Sequence, residues 1–308
     1  MIVCDHPFGL VRLACIDIGS NTTRLLVAEV SGHDHTTFET VLARRVFLPL
    51  TGVETASPIA LRRLQTLEGV VAQLAEEAAA AGVSAGGLRV VATQSLRLMP
   101  TTKRDAALRA LSLAAGAEVE LLSTQAEAEL AFSGATAWAD HDVPVAVIDI
   151  GGGSSELIVG TPGQTPDWWC SVPLGSRTIT ERWLNLDPPT NTQIEEAVAA
   201  ADGAFSECVP PTRPACAWTV GGGTQSLARL LAGKPAEPQT LSDSLKTLSA
   251  APAIEVAAAY GLDELRTRVL PATLVLLIAA TRCLGCAAEP GSGGLREGII
   301  HGLASTSR

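Results

Sequence analysis

The sequence predicts an α/β protein built as two related lobes, and three observations carry that prediction. The first is an internal repeat. Ile16-Asp17-Ile18-Gly19 recurs as Ile148-Asp149-Ile150-Gly151, so position 17 returns as 149, an offset of 132. At the same offset Thr22 matches Ser154, Thr23 matches Ser155, and Leu25-Leu26-Val27 matches Leu157-Ile158-Val159. The second is the order of the patterns, in which short apolar runs alternate with longer helical segments, as strands joined by crossover helices do. The third is size. With 308 residues, 47% apolar and 18% charged, the chain is folded and long enough for two domains with proper cores.

Each copy of the repeat reads apolar run, Asp, Gly turn, small hydroxyl residues and apolar run. That describes a strand, a turn able to wrap an anion, and a return strand. Residues 1–10 read as a loose leader before the first strand opens at Val11. Residues 38–50 form another strand region, closed by Pro49 and Gly52. Ser57-Pro58 then starts a helix running to about Ala81, with Ser as the cap and Pro in the first turn. A short buried strand over 88–92, a helix over 103–115 and a strand over 119–122 follow. The next helix covers residues 124–138, with Thr124 and Glu127 at capping-box spacing.

A linker at 140–144 leads to the second hairpin, which opens at Val145. Helices are predicted over 178–186 and 193–205, and a strand over 218–220 ends in Gly221-Gly222-Gly223-Thr224. Helices dominate from there on. The domains are expected at 1–133 and 134–308, with the final helix packing back on the first.

The net charge of −10 argues against a nucleic-acid binder, which carries a basic footprint. A phosphate ligand stays open, because local arginines and backbone amides hold anions inside acidic proteins. The apolar stretch 270–280 contains Pro271 and soon reaches Arg282, so it reads as a core helix and not a membrane span. The seven cysteines are odd in number, widely spread, and follow no secretory signal, which predicts a reduced, cytoplasmic protein. Cys283 and Cys286 lack the partners of a zinc site and are expected to be buried helix cysteines.

The glycine turns are the first candidates for chemistry. In Gly19-Ser20-Asn21-Thr22 and Gly151-Gly152-Gly153-Ser154-Ser155, the missing side chains let backbone N–H groups approach an oxyanion, and the hydroxyls add donors. Neither turn fits a P-loop or a dinucleotide fingerprint. Asp17 and Asp149 end their strands at these turns, and Glu156 lies in the second hairpin. They are candidates for a hard divalent cation, which prefers oxygen ligands, or else for capping the turns. Glu127 is either a capping-box residue or a catalytic carboxylate. Arg97 follows a strand and a Thr-Gln-Ser loop, where it can reach a ligand, and Arg24, Arg266, Arg268 and Arg296 are further anion-binding candidates. The 221–224 turn is open between a phosphate loop and a close-packing turn.

Together these motifs resemble the Ppx/GppA phosphatases, a family of the actin-like superfamily. The likeness rests on residues 16–22, Ala92-Thr93-Gln94-Ser95-Leu96-Arg97, residues 122–128, Asp149-Ile150-Gly151-Gly152-Gly153-Ser154-Ser155-Glu156, Gly222-Gly223-Thr224 and Leu295-Arg296-Glu297-Gly298. The resemblance implies two ribonuclease-H-like domains with a phosphate cleft between them. It implies that Glu127 activates water and that Asp149, Glu156 and Asp17 surround magnesium or manganese. It places Arg97, Gly19, Ser20, Asn21 and Thr22 of the first turn, and Gly152, Gly153, Ser154 and Ser155 of the second, on terminal phosphates. The expected substrate is inorganic polyphosphate, cleaved to orthophosphate by a homodimer. Guanosine pentaphosphate hydrolysis, non-catalytic polyphosphate or alarmone binding, and a superfamily kinase are the alternatives. Departures from the family pattern are Thr124-Gln125-Ala126 before Glu127, Glu129 where Arg is common, and Arg268 where Asp is common.

Overall fold

The computed structural model describes residues 10–31, 37–55, 57–139, 142–231 and 233–306. Apart from Leu10, the expected leader lies outside the described residues, as do Asp140 and His141 of the expected linker.

The elements begin with β1 (Val11–Ile18), β2 (Thr22–Ser31), β3 (Thr37–Phe47), α1 (Pro58–Ala80), β4 (Leu88–Ala92), α2 (Gln94–Arg97), α3 (Thr101–Ala115) and β5 (Val119–Leu121). They continue with α4 (Thr124–Thr136), β6 (Val145–Ile150), β7 (Ser155–Gly160), β8 (Trp168–Val172), α5 (Ser176–Arg182), α6 (Asn191–Phe205), β9 (Ala217–Gly221) and α7 (Thr224–Leu231). The last are α8 (Pro238–Leu248), α9 (Ala253–Tyr260), α10 (Glu264–Thr267), α11 (Leu270–Leu284), β10 (Ala288–Pro290) and α12 (Leu295–Thr306).

The chain divides into two units, Met1–Ser123 with Arg296–Arg308, and Thr124–Leu295. In the first, the sheet order is β3-β2-β1-β4-β5, and in the second β8-β7-β6-β9-β10. Both have the same hand-to-hand pairing. The first hairpin of each is antiparallel, and its opening strand pairs in parallel on the other side with β4 or β9. The repeat seen in the sequence is therefore a repeat of topology, and the fold is α/β with two mixed, ribonuclease-H-like sheets.

In the first unit, α1 starts as its sequence dictates. Ser57 Oγ accepts the Ala60 amide at 3.1 Å, and Pro58 supplies a fixed φ where no N–H is needed. Leu67, Val71 and Leu74 recur on one face of α1 and are buried with Leu111 of α3 against Ile16, Ile18 and Val90. Each such side chain contributes about 1.5–3 kcal/mol on leaving water.

In the second unit, α11 is buried nearly all round, packed on α5, α6, α8 and β6. Its charged end escapes to solvent, where Arg282 Nη1 meets Asp202 Oδ2 at 2.9 Å. It is the core helix the sequence predicts. Among the described residues, no helix is long and apolar enough to cross a membrane. The apolar face of α4 (Ala128, Ala131, Phe132, Ala135) packs on Val145, Val147, Ile158 and Val220, so this helix lies wholly in the second unit. The division accordingly falls at 123/124, where the sequence reading put it at 133/134.

The cysteines differ from expectation. Cys170 on β8 and Cys208 after α6 form a disulfide with Cα atoms 5.7 Å apart, where reduced thiols were expected. Cys283 and Cys286 are partly buried, and only Cys283 is helical. Gly285, at φ +67°, ends α11 before Cys286 is reached.

Candidate active site

The second hairpin brings two carboxylates face to face. Asp149 near the end of β6 is registered directly opposite Glu156 on β7. Glu156 is 3% exposed, and Ser171 Oγ on the adjoining strand β8 donates to its Oε1 at 2.7 Å. Burial, with the charges of Glu127 and Asp149, pushes the Glu156 carboxyl up to about 8, against the pull of hydrogen bonds from Ser171 and Ser154. Both charges acting on it are negative, an environment that favours the proton or a cation.

Glu127 reaches this group from the first turn of α4. Thr124 is already helical, so the cap position falls at Ser123 and Glu127 sits one residue beyond the capping-box partner. Its charge acts on Glu156, which sets a third carboxylate beside the opposed pair. Glu127, Asp149 and Glu156 come together within one unit, from three separate elements.

The turn between β6 and β7 is shaped by what grips its carbonyls. Gly151 O accepts from the Ser176 amide at 2.9 Å, Gly152 O from the Arg177 and Thr178 amides at 3.0 and 3.2 Å, and Gly153 O from Thr178 Oγ1 at 3.4 Å. All are donors at the start of α5. A trans peptide points its C=O and the following N–H in opposite directions. The amides of Gly152, Gly153 and Ser154 therefore face away from α5, as a row of donors suited to an oxyanion. Gly175 makes this approach possible, since a Cβ there would collide with the Gly152 backbone. Ser155 is the exception among the expected phosphate ligands, because its Oγ is buried and donates to Leu174 O at 2.7 Å.

The first unit repeats the device. Gly19 N bonds Thr22 O at 3.1 Å, as Gly151 N bonds Ser154 O at 3.0 Å. The Ser20 and Asn21 carbonyls are taken by the Leu50 and Leu48 amides, at 2.9 and 3.1 Å, which turns the amides of Asn21 and Thr22 outward. Ser20 is buried, with Oγ at 3.5 Å from Gln94 Oε1. Asp17, however, faces Arg24 across β1 and β2, not a second acid. Burial raises the Asp17 carboxyl, while Arg24 and Arg296 of α12 draw it down. Arg24 Nε in turn donates to Thr22 Oγ1 at 3.2 Å. Arg97, at the end of α2, donates from Nη1 to Leu122 O at 2.9 Å, tying α2 to the end of β5.

Two further candidates resolve into packing. Gly221 has φ +93°, and a Cβ there would lie 2.6 Å from Asp149 Oδ1, while one on Gly223 would lie 2.9 Å from Thr273 Cγ2. The 221–224 turn thus lets α11 and the Asp149 carboxylate approach closely. Arg268 Nη2 donates to Leu184 O at 2.8 Å.

Sequence reasoning missed Ser171 and Gly175, which reach the site through strand pairing and turn packing. The one available signal for asymmetry was the repeat offset, which sets Arg24 in the first hairpin against Glu156 in the second.

Among the described residues, no three His, Cys, Asp or Glu side chains are disposed to hold a metal ion. A magnesium-type cation bound by one or two carboxylates and completed by water and phosphate oxygens needs no such cluster. The opposed pair, a partly exposed Asp149 and a buried Glu156, fits that donor set.

Residues 27–307 match the Ppx/GppA phosphatase family. Exopolyphosphatase 2 of Mycobacterium tuberculosis is 31% identical over 61% of this chain and 60% of its own length. The guanosine-5'-triphosphate,3'-diphosphate pyrophosphatase of Aeromonas hydrophila is 28% identical over 94% of this chain and 59% of its own. The chain thus spans less than two thirds of these curated relatives. Among solved structures, an exopolyphosphatase from Cytophaga hutchinsonii superposes with a TM-score of 0.80 at 20% identity, covering 96% of this chain and 98% of that one. The Aquifex aeolicus Ppx/GppA family member gives 0.76 at 21%, covering 97% and 100%.

Proposed function

The chain belongs to the Ppx/GppA phosphatase family, and from that premise we propose that it is a hydrolase of terminal phosphoanhydrides, with inorganic polyphosphate as substrate. The observation that carries the reading is the grouping of Glu127, Asp149 and Glu156 in the unit whose 151–154 turn presents a row of backbone donors. The name of the Mycobacterium relative supports the choice of substrate.

In the proposed reaction, Glu127 accepts a proton from water as its oxygen attacks the end phosphorus. The bridging P–O bond breaks, and orthophosphate leaves the shortened chain. The amides of Gly152, Gly153 and Ser154 stabilise charge on the phosphoryl oxygens where they are fixed in advance, so little reorganisation is needed. Asp149 and Glu156 would hold magnesium or manganese, which when bound neutralises charge on those oxygens. Ser171 orients Glu156. In the first unit, Asp17 positions Arg24 on Thr22, which orders a second donor turn. Arg97 is proposed as a phosphate contact.

The test is orthophosphate release from long-chain polyphosphate with magnesium, beside ATP and guanosine pentaphosphate. Release from polyphosphate supports the reading. Release from guanosine pentaphosphate alone, which the Aeromonas relative's name favours, would move the substrate to the nucleotide. Binding of either without turnover would make the chain a sensor.

A further inference from the structure

The Cys170–Cys208 disulfide stands one residue from the hydrogen bond that holds Glu156. Among the described residues, strand β8 is the edge of its sheet and pairs only with β7, with Cys170 opposite Leu157 and Ser171 opposite Glu156. Successive strand residues face opposite sides. Cys170 packs with the core that contains α6, while Trp169 packs with the α4 core on the other side. Ser171, alternating with Cys170, sends its hydroxyl to Glu156 Oε1 at 2.7 Å. The disulfide thus clamps one face of an edge strand whose other face fixes a site carboxylate.

The two sulfur-bearing residues differ in access. Cys170 is partly exposed, whereas Cys208 is 1% exposed and anchored by its amide on Phe205 O at 3.0 Å. Cys283 Sγ reaches the Cys208 carbonyl at 2.6 Å, so a further thiol lies beside the buried end. A partly exposed cysteine on an edge strand, bridged to a buried one, is a disulfide whose two ends a dithiol meets unequally.

We infer that Cys170 and Cys208 form a reversible dithiol–disulfide site, exchanged by dithiol proteins or small dithiols, whose oxidised form clamps β8 and so fixes Ser171 on Glu156. A thiolate of the reductant attacks Cys170 Sγ, the Cys170–Cys208 bond breaks, and Cys208 leaves as a thiolate that takes up a proton. The reductant's second thiol then attacks the mixed disulfide and frees Cys170. Two electrons pass to the protein, and the reductant ends as a disulfide. Oxidation by glutathione disulfide reverses the sequence. Only the consequence for hydrolysis rests on the function proposed above.

The experiment poises the full-length protein in oxidised or reduced dithiothreitol, alkylates it, and maps adducts by mass spectrometry, while amide exchange is read across residues 168–172. Reduction is expected to add alkylation at Cys170 and Cys208, and to speed exchange of the β8 amides about tenfold relative to β6, since an edge strand released on one face opens locally. Glutathione disulfide is expected to restore both. The Cys170→Ser variant should show the fast exchange in every buffer. Should that variant fold poorly, the reduced wild-type protein gives the same reading. Orthophosphate release is expected to fall about tenfold with the same redox midpoint, the scale for losing a group that orients a ligand. Equal alkylation of Cys170 and Cys208 in both buffers, or β8 exchange unmoved by reduction, would overturn the inference. Absence of hydrolysis in both states would count against the proposed function alone, and alkylation and exchange would still decide the redox site.

Discussion

Asp149 and Glu156 stand directly opposite each other across an antiparallel ladder. At the equivalent place in the other unit, Asp17 stands opposite Arg24. One repeat thus sets an acid opposite a base, and the other sets two acids opposite each other. Like charges directly opposite on a sheet are destabilising, so ionising Glu156 beside Asp149 carries a local cost that a bound cation would offset.

That cost gives a pH signature. The Glu156 carboxyl lies at about 8 in the folded chain against an ordinary 4.5. The folded form therefore keeps a proton that the unfolded form releases, and stability present below pH 4.5 drains away as pH rises through about 8. In metal-free buffer, the melting temperature should fall between pH 5 and pH 8, and Glu156→Gln should flatten that fall. The energy at stake is on the order of a few kcal/mol. A fall of equal size in both proteins would remove Glu156 as its source.

Ser171→Ala deletes the donor to Glu156 Oε1. The hydrogen bond favours the charged carboxylate, so its loss raises Glu156 further and weakens cation binding. A magnesium titration followed by thermal shift should show affinity reduced about 10–100-fold, with the metal-free melting temperature little changed. Unchanged affinity would mean that Ser171 does not support a metal ligand.

Gly221→Ala sets a Cβ against Asp149 Oδ1 at a φ of +93°. We expect a loss of about 1–3 kcal/mol from the strained backbone, measured by denaturant unfolding. Because the displaced atom belongs to Asp149, magnesium should protect the variant less than the wild-type protein. Full protection would show that Asp149 tolerates the shift or takes no part in binding.

Much of this was legible in the sequence because local signals and tertiary packing agree. The helix at Ser57-Pro58, the strand at 88–92 and both hairpins form where cap, proline and apolar runs place them. The paired glycine turns were readable as well, since the chain repeats them. Legibility ended where residues meet through the sheet. Ser171 is set by the β7–β8 register, Gly175 by the α5 entrance closing on Gly152, and the Cys170–Cys208 bridge by the packing of α6 across a separation of 38 residues. The role of Glu127 was ambiguous because a capping box and a catalytic carboxylate share one spacing. The structure starts the helix at Thr124 and sets the Glu127 charge beside Glu156, a neighbour that spacing along the chain does not show.

The most direct measurement is the rate of orthophosphate release from polyphosphate by Glu127→Gln, read beside its melting temperature. A positioned base contributes about 10²–10⁴-fold, so the rate should drop by that factor while the melting temperature stays within a few degrees of wild type. A variant that melts early but hydrolyses normally per folded molecule would contradict the assignment of Glu127 as the group that takes the proton from water.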